Sequence, residues 1–90
     1  VRIDRGGLLK FADPIARDLL HWSSGDLTLS AILGERESAA MMAALTRQEV
    51  VEQILTVRTG ASAERLHATA LASRGSDGSL LGALLFLRRL

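Results

Sequence analysis

After Glu49 the apolar pattern of this chain changes period. Val50 to Val57 is rich in β-branched and aliphatic residues, Arg65 to Ala72 alternates apolar with polar, and Leu80 to Leu87 is almost wholly apolar. Successive side chains of a strand point to opposite faces, so short runs of this kind are expected to be β-strands. Ser73 to Gly78 between the last two is a cluster of turn residues, and Arg58-Thr59-Gly60 closes the first. Three antiparallel strands joined as a meander satisfy the pattern. Such a sheet must bury one face against whatever the first half of the chain builds.

That half reads as two strands and three helices. Val1 to Asp4 alternates and runs into Arg5-Gly6-Gly7, after which Leu8, Leu9 and Phe11 resume an apolar run: a strand, a tight turn and a second strand. Asp13-Pro14 starts a helix, because the Asp13 carboxylate can accept from the free N–H groups of the first turn and Pro14 loses no needed donor at the first helical position. Ile15, Leu19 and Trp22 share one face of this helix, and Ser23-Ser24-Gly25-Asp26 breaks it. Leu27, Leu29, Ile32 and Leu33 suggest one short helical turn before Gly34. Glu35 to Glu49 consists of strong helix formers with acidic residues at its start, and Ala39, Met42, Ala43 and Leu45 are expected on its buried side. The fold class is therefore α+β: a five-stranded antiparallel sheet with short helices and one longer helix packed on one face.

Composition bounds the function. Ninety residues suit one compact domain, so residues 1–90 are read as a single unit, and the opening Val1 in place of Met marks it as a piece of a longer protein. Eleven basic against ten acidic residues give a net charge of +1 without a basic stripe, which argues against nucleic-acid binding. The absence of cysteine removes disulfides, thiolate metal sites and cysteine nucleophiles. No apolar run approaches the length of a membrane helix and no signal peptide precedes the first strand, so a soluble, cytoplasmic domain without membrane insertion is expected. His21 and His67 are the only histidines and do not stand at metal-ligand spacing; with no nucleophile or phosphate-loop pattern, the chain does not read as an enzyme.

The ordered series Val1-Arg2-Ile3-Asp4-Arg5-Gly6-Gly7, Phe11-Ala12-Asp13-Pro14-Ile15-Ala16-Arg17-Asp18-Leu19-Leu20, Gly60, Asp77-Gly78 and Gly82-Ala83-Leu84-Leu85-Phe86-Leu87-Arg88 resembles the PAS domain pattern over nearly the whole chain. Asp13 stands where these domains usually have Asn, and His21 where they often have a small residue. Arg88-Arg89-Leu90 stands in place of the Asp-centred motif that usually joins the output helix.

The resemblance implies a sensory module of a bacterial-type signal transduction protein, such as a histidine kinase, a cyclic-dinucleotide enzyme or a transcription regulator. It would bind a small ligand or a partner and relay that state to an output domain. Candidate ligand-binding residues are His21, Trp22, Met42, Leu55, Leu66, Ala68, Ala70 and Leu85. By the period of two, Leu66, Ala68 and Ala70 share one face of their strand and His67, Thr69 and Leu71 the other. The two alanines either leave room for a ligand or complete a tight core. His21 is expected near the last carbonyls of its helix, and Asp26 and Arg58 are expected as a salt bridge across the pocket mouth. The cofactor is unknown; haem and covalent flavin are not expected, since the long helix has no histidine and the chain no cysteine. Because Leu80 to Leu87 is apolar at both parities, the outer sheet face also carries large apolar side chains; by the parity that the resemblance implies these are Leu84 and Phe86, with Leu71 from the neighbouring strand, and they are expected to form a homodimer interface. With the first strand starting at once, no preceding helix is expected to cover that face. The alternative is a ligand-free structural dimerisation module.

Overall fold

A computed structural model describes residues 1–23, 25–59 and 62–90, the side chains of Arg58 and Thr59 apart. The elements follow in the order β1 (Arg2–Asp4), β2 (Leu9–Phe11), α1 (Pro14–Leu19), α2 (Leu29–Leu33), α3 (Glu35–Arg47), β3 (Val50–Thr59), β4 (Ser62–Arg74) and β5 (Leu80–Arg89). The five strands form one antiparallel sheet in the order β2-β1-β5-β4-β3. This is the expected architecture, and it is PAS-like. The strand-ending Gly60, and Ser24 in the break after α1, lie outside the described residues.

Local chemistry sets the element ends. Asp4 Oδ1 accepts from the N–H groups of Gly6 and Leu8, at 2.9 and 3.0 Å, and closes the β1–β2 turn. Asp13 caps α1 by accepting from Ala16 N–H at 2.8 Å, with Pro14 in the first turn as expected. Thr28 caps α2 in the same way through Ala31 N–H. The helix α3 carries Glu35 and Glu37 in its first turn and stops at Arg47, and Gln48 is already extended.

The core lies between the helices and one face of the sheet. Ile3, Leu29, Met41, Leu45, Leu55, Leu66 and Leu85 are its largest fully buried side chains. Two helical faces differ from expectation. Ile15 is 74% exposed, and α1 buries Ala16 and Leu19 instead. On α3 the buried residues are Ser38, Met41 and Leu45, whereas Ala39 and Ala43 are exposed and Met42 is half-buried at the edge of the core. Positions 38, 41 and 45 form one stripe by helical spacing, and two adjacent methionines are equally apolar, so only the rotation of the helix on the sheet chooses between them.

At one position the backbone demands glycine. Gly82 on β5 lies opposite Asp4 on β1, and a Cβ there would run into the Ile3 carbonyl oxygen. The same strand carries a bulge: Ser73 pairs with Gly82 but Arg74 with Leu80, which leaves Leu81 as the extra residue.

Candidate functional site

The inner sheet face gathers most of the residues expected to line a pocket. Leu55 on β3, Leu66, Ala68 and Ala70 on β4 and Leu85 on β5 all point toward the helices and are no more than 1% exposed. Trp22 is also buried, and its indole N–H donates to the Gly25 carbonyl at 2.9 Å. Met42 packs against this group from its rim, with Met41 at the centre.

His21 sits apart from these residues. It has a positive φ of 54° and is exposed. Its N–H donates to the Asp18 carbonyl at 3.1 Å, and the next N–H, of Trp22, donates to the Arg17 carbonyl at 2.8 Å. That pair of bonds is a Schellman ending, in which the left-handed position is usually glycine. The backbone N–H of His21, and not its ring, thus meets the last carbonyls of α1. The ring lies outside, with Nε2 3.9 Å from a Glu64 carboxylate oxygen. The Arg17 guanidinium lies over the Trp22 ring at 4.3 Å and closes the motif on its apolar side. Glu64 also accepts from Arg89 Nε at 2.6 Å, and Arg89 reaches Asp18 at 4.0 Å, so one charged cluster joins β4, β5 and α1. The hydrogen bond that Arg89 donates to Glu64, together with the Glu64 charge, holds the Arg89 guanidinium above its ordinary pKa. Asp26 is exposed, and the Arg58 side chain expected opposite it lies outside the described residues.

The outer sheet face is the second candidate. Leu84 and Phe86 are 44% and 56% exposed, and Leu71 is half-buried beside them. The strand register shows how far this surface extends. Phe11, Arg2, Leu84, Leu71 and Val50 stand directly opposite one another in a single row across all five strands. Phe11 and Val50 are 66% and 48% exposed. The next row holds Phe86, Thr69 and Glu52. Beside the band, Leu81 from the bulge joins Arg2, Asp4, Lys10, Leu71 and Leu84 around a hollow of about 570 Å³. Phe11, Val50 and Leu81 were not expected here. Their contribution depends on which residues face each other across strands, and on the bulge, neither of which the sequence displays.

Among the described residues no group of three or more His, Cys, Asp or Glu side chains is placed to hold a metal ion, and no helix is long and apolar enough to cross a membrane. No known protein family or curated protein matches the sequence, and no solved structure matches the fold.

Proposed function

We propose that this chain is a PAS-type signal-sensing and interaction domain that associates with a second copy of itself through the outer sheet face and relays its state to an output domain. The observation that carries the reading is the apolar band Leu84, Leu71 and Val50, with Phe86 beside it and Phe11 beyond Arg2 in the same row, on the face opposite the helices. An antiparallel sheet with a solvated outer face shows polar residues there, and a contiguous apolar patch marks a contact surface. Arg2 on β1 stands within the row, between Phe11 and Leu84, and Glu52 on β3 ends the next row. A two-fold axis along the strands lays the apolar rows of one copy on those of the other. A change at the inner face then reaches the partner through the thickness of one sheet, which is how occupancy or contact shifts a two-state equilibrium.

The burial of Leu55, Leu66, Ala68, Ala70 and Leu85 favours a second reading, a dimerisation module whose core is filled by its own side chains. Native mass spectrometry separates the two, since a co-purifying small molecule supports sensing and a bare dimer supports the scaffold. Sedimentation tests the shared premise. Phe86→Glu strands a charge in the contact but leaves it solvated in the monomer, so the variant sediments as a folded monomer where the unmodified chain is a dimer. A monomeric unmodified chain at high concentration overturns both readings.

A further inference from the structure

The two edges of the sheet are finished differently. β2 has three residues and an irregular register, and the chain before α2 covers its outer side: Leu9 N–H donates to the Leu27 carbonyl at 2.9 Å, Leu29 N–H to the Gly7 carbonyl at 2.7 Å, and Leu8 bridges to Thr28. At the other edge, β3 runs for ten residues in unbroken register with β4 and contains no proline. Shortness, bulges, proline and covering chain are the usual protections of an edge. Among the described residues, β3 is neither short nor bulged nor interrupted by proline, and α2 stands beside its edge across an open cleft.

Its free backbone groups can be assigned. Ala72 N–H donates to the Glu49 carbonyl at 2.8 Å, which makes these two a hydrogen-bonded pair. Alternation along the antiparallel ladder then turns the N–H and C=O groups of Val51, Gln53 and Leu55 toward β4, and those of Glu52, Ile54 and Thr56 toward the open side. A cleft of about 450 Å³ lies there, and Gln53, Ile54, Leu55 and Thr56 all line it. Consecutive strand residues face opposite sides of a sheet, so a hollow that touches four in a row runs along the strand edge and not over one face. Its other wall is α2, with Ile32 and Leu33, and the start of α3, with Glu37. Glu37 is the one charged lining residue among the described residues, and its carboxylate lies 3.5 Å from Gln53 Nε2.

Outward N–H and C=O groups at every second residue are matched by another extended backbone. We propose that the β3 edge takes up an extended peptide from a partner protein as a sixth strand, with a basic residue of that peptide seated against Glu37. In an antiparallel addition the peptide residue opposite Ile54 exchanges both backbone hydrogen bonds and points to the outer face. Its two neighbours point toward the helices. One meets Gln53 and Glu37, the other Leu55, Ile32 and Leu33. The recognised segment therefore carries a basic and an aliphatic residue separated by one position. This site is separate from the outer band, and of the candidate pocket residues it borders Leu55 alone.

The test is selection from a displayed library of random octapeptides on the intact 90-residue chain, followed by amide NMR with the enriched sequences. Enriched peptides are expected to carry Lys or Arg one residue removed from an aliphatic residue. On saturation the amides of Glu52, Ile54 and Thr56 shift, and their hydrogen exchange slows at least tenfold. N-methylation at the peptide residue opposite Ile54 weakens binding at least tenfold. Glu37→Lys, an exposed change that circular dichroism can show to be folded, reverses the preference from basic to acidic peptides. The proposal is overturned by a selection without binders, by shifts confined to the row of Leu84 and Leu71, or by unchanged binding of the N-methylated peptide. Protection of the Ile54 amide in the chain alone as its concentration rises also overturns it, since the occupant is then a second copy.

Discussion

Replacing Arg74 by Met keeps an unbranched apolar stem and removes a guanidinium that ties three elements together. Arg74 ends β4, and its side chain is 22% exposed. One terminal nitrogen donates to the Leu45 carbonyl at 2.6 Å and, at 3.4 Å, to that of Gln48, so the guanidinium caps the carboxyl end of α3. Nε donates to Glu49 at 2.8 Å, and the other terminal nitrogen reaches the Gly78 carbonyl in the β4–β5 turn. A charge-assisted bond to a part-buried carbonyl is worth about 1.5–3 kcal/mol. The Glu49 partner is largely exposed, and such a pair adds at most about 1 kcal/mol. Arg74→Met is therefore expected to cost about 2–4 kcal/mol, with Tm falling by roughly 10–30 °C for a chain of this size. Urea unfolding followed by circular dichroism measures it, with the slope of the transition unchanged. Glu49→Gln should cost less than about 1 kcal/mol, because the carbonyl cap survives. If Arg74→Met unfolds within about 0.5 kcal/mol of the unmodified chain, or if Glu49→Gln costs as much as Arg74→Met, then the carbonyl cap does not hold the end of α3.

Three further outcomes are expected. His21→Gly relieves a left-handed backbone and gives up an exposed contact to Glu64, so it should stabilise the chain by about 0.5–1 kcal/mol in thermal melts; a loss of stability would show that the ring matters more than its backbone. Gly82→Ala drives a Cβ into the Ile3 carbonyl, and amide exchange should show β1 released from β5 while the β3–β4 pairing persists. Asp77 accepts from the Ser79 hydroxyl and N–H, which lowers its carboxyl pKa in the folded turn. A depressed folded value means that the order of the turn is complete above the unfolded-chain value of about 4 and is lost as pH falls through the lower folded value, which the Ser79 amide shift should follow.

Periodicity made the meander legible. Leu66, Ala68 and Ala70 could be assigned to one face because β4 alternates, and all three are buried. In β5 alternation is silent, because Leu84, Leu85 and Phe86 are all large and apolar; the resemblance, not the period, separated inner Leu85 from outer Leu84 and Phe86. Helix rotation was legible only to within one residue, hence Met41 where Met42 was expected and an exposed Ile15. Arg74 read as part of a turn because its partners Leu45, Gln48 and Glu49, at and just beyond the end of α3, lie 25 or more residues away. The open side of β3 was hidden for a related reason: strand order, and with it which strand lies at an edge, is a property of the assembled sheet.

The position of β5 between β1 and β4 also dictates when the molecule can close. Apart from the bonds that β1 and β2 make locally around their turn and to the chain before α2, the backbone before α3 is hydrogen-bonded to the rest of the sheet through Val1 with Leu85 and through Arg2, Ile3 and Asp4 against Leu84, Ala83 and Gly82. These partners are about 80 residues apart, and the entropy of closing so long a loop must be met before their pairing contributes anything. The β3–β4 hairpin needs no such closure. During synthesis it can assemble within its own span, while the amino-terminal strands wait, unpaired on one side, for residues 80–89 to emerge. Slow steps in refolding should therefore track the docking of β1 on β5, and the interval before that docking is when the apolar side chains of both outer rows are exposed to other chains.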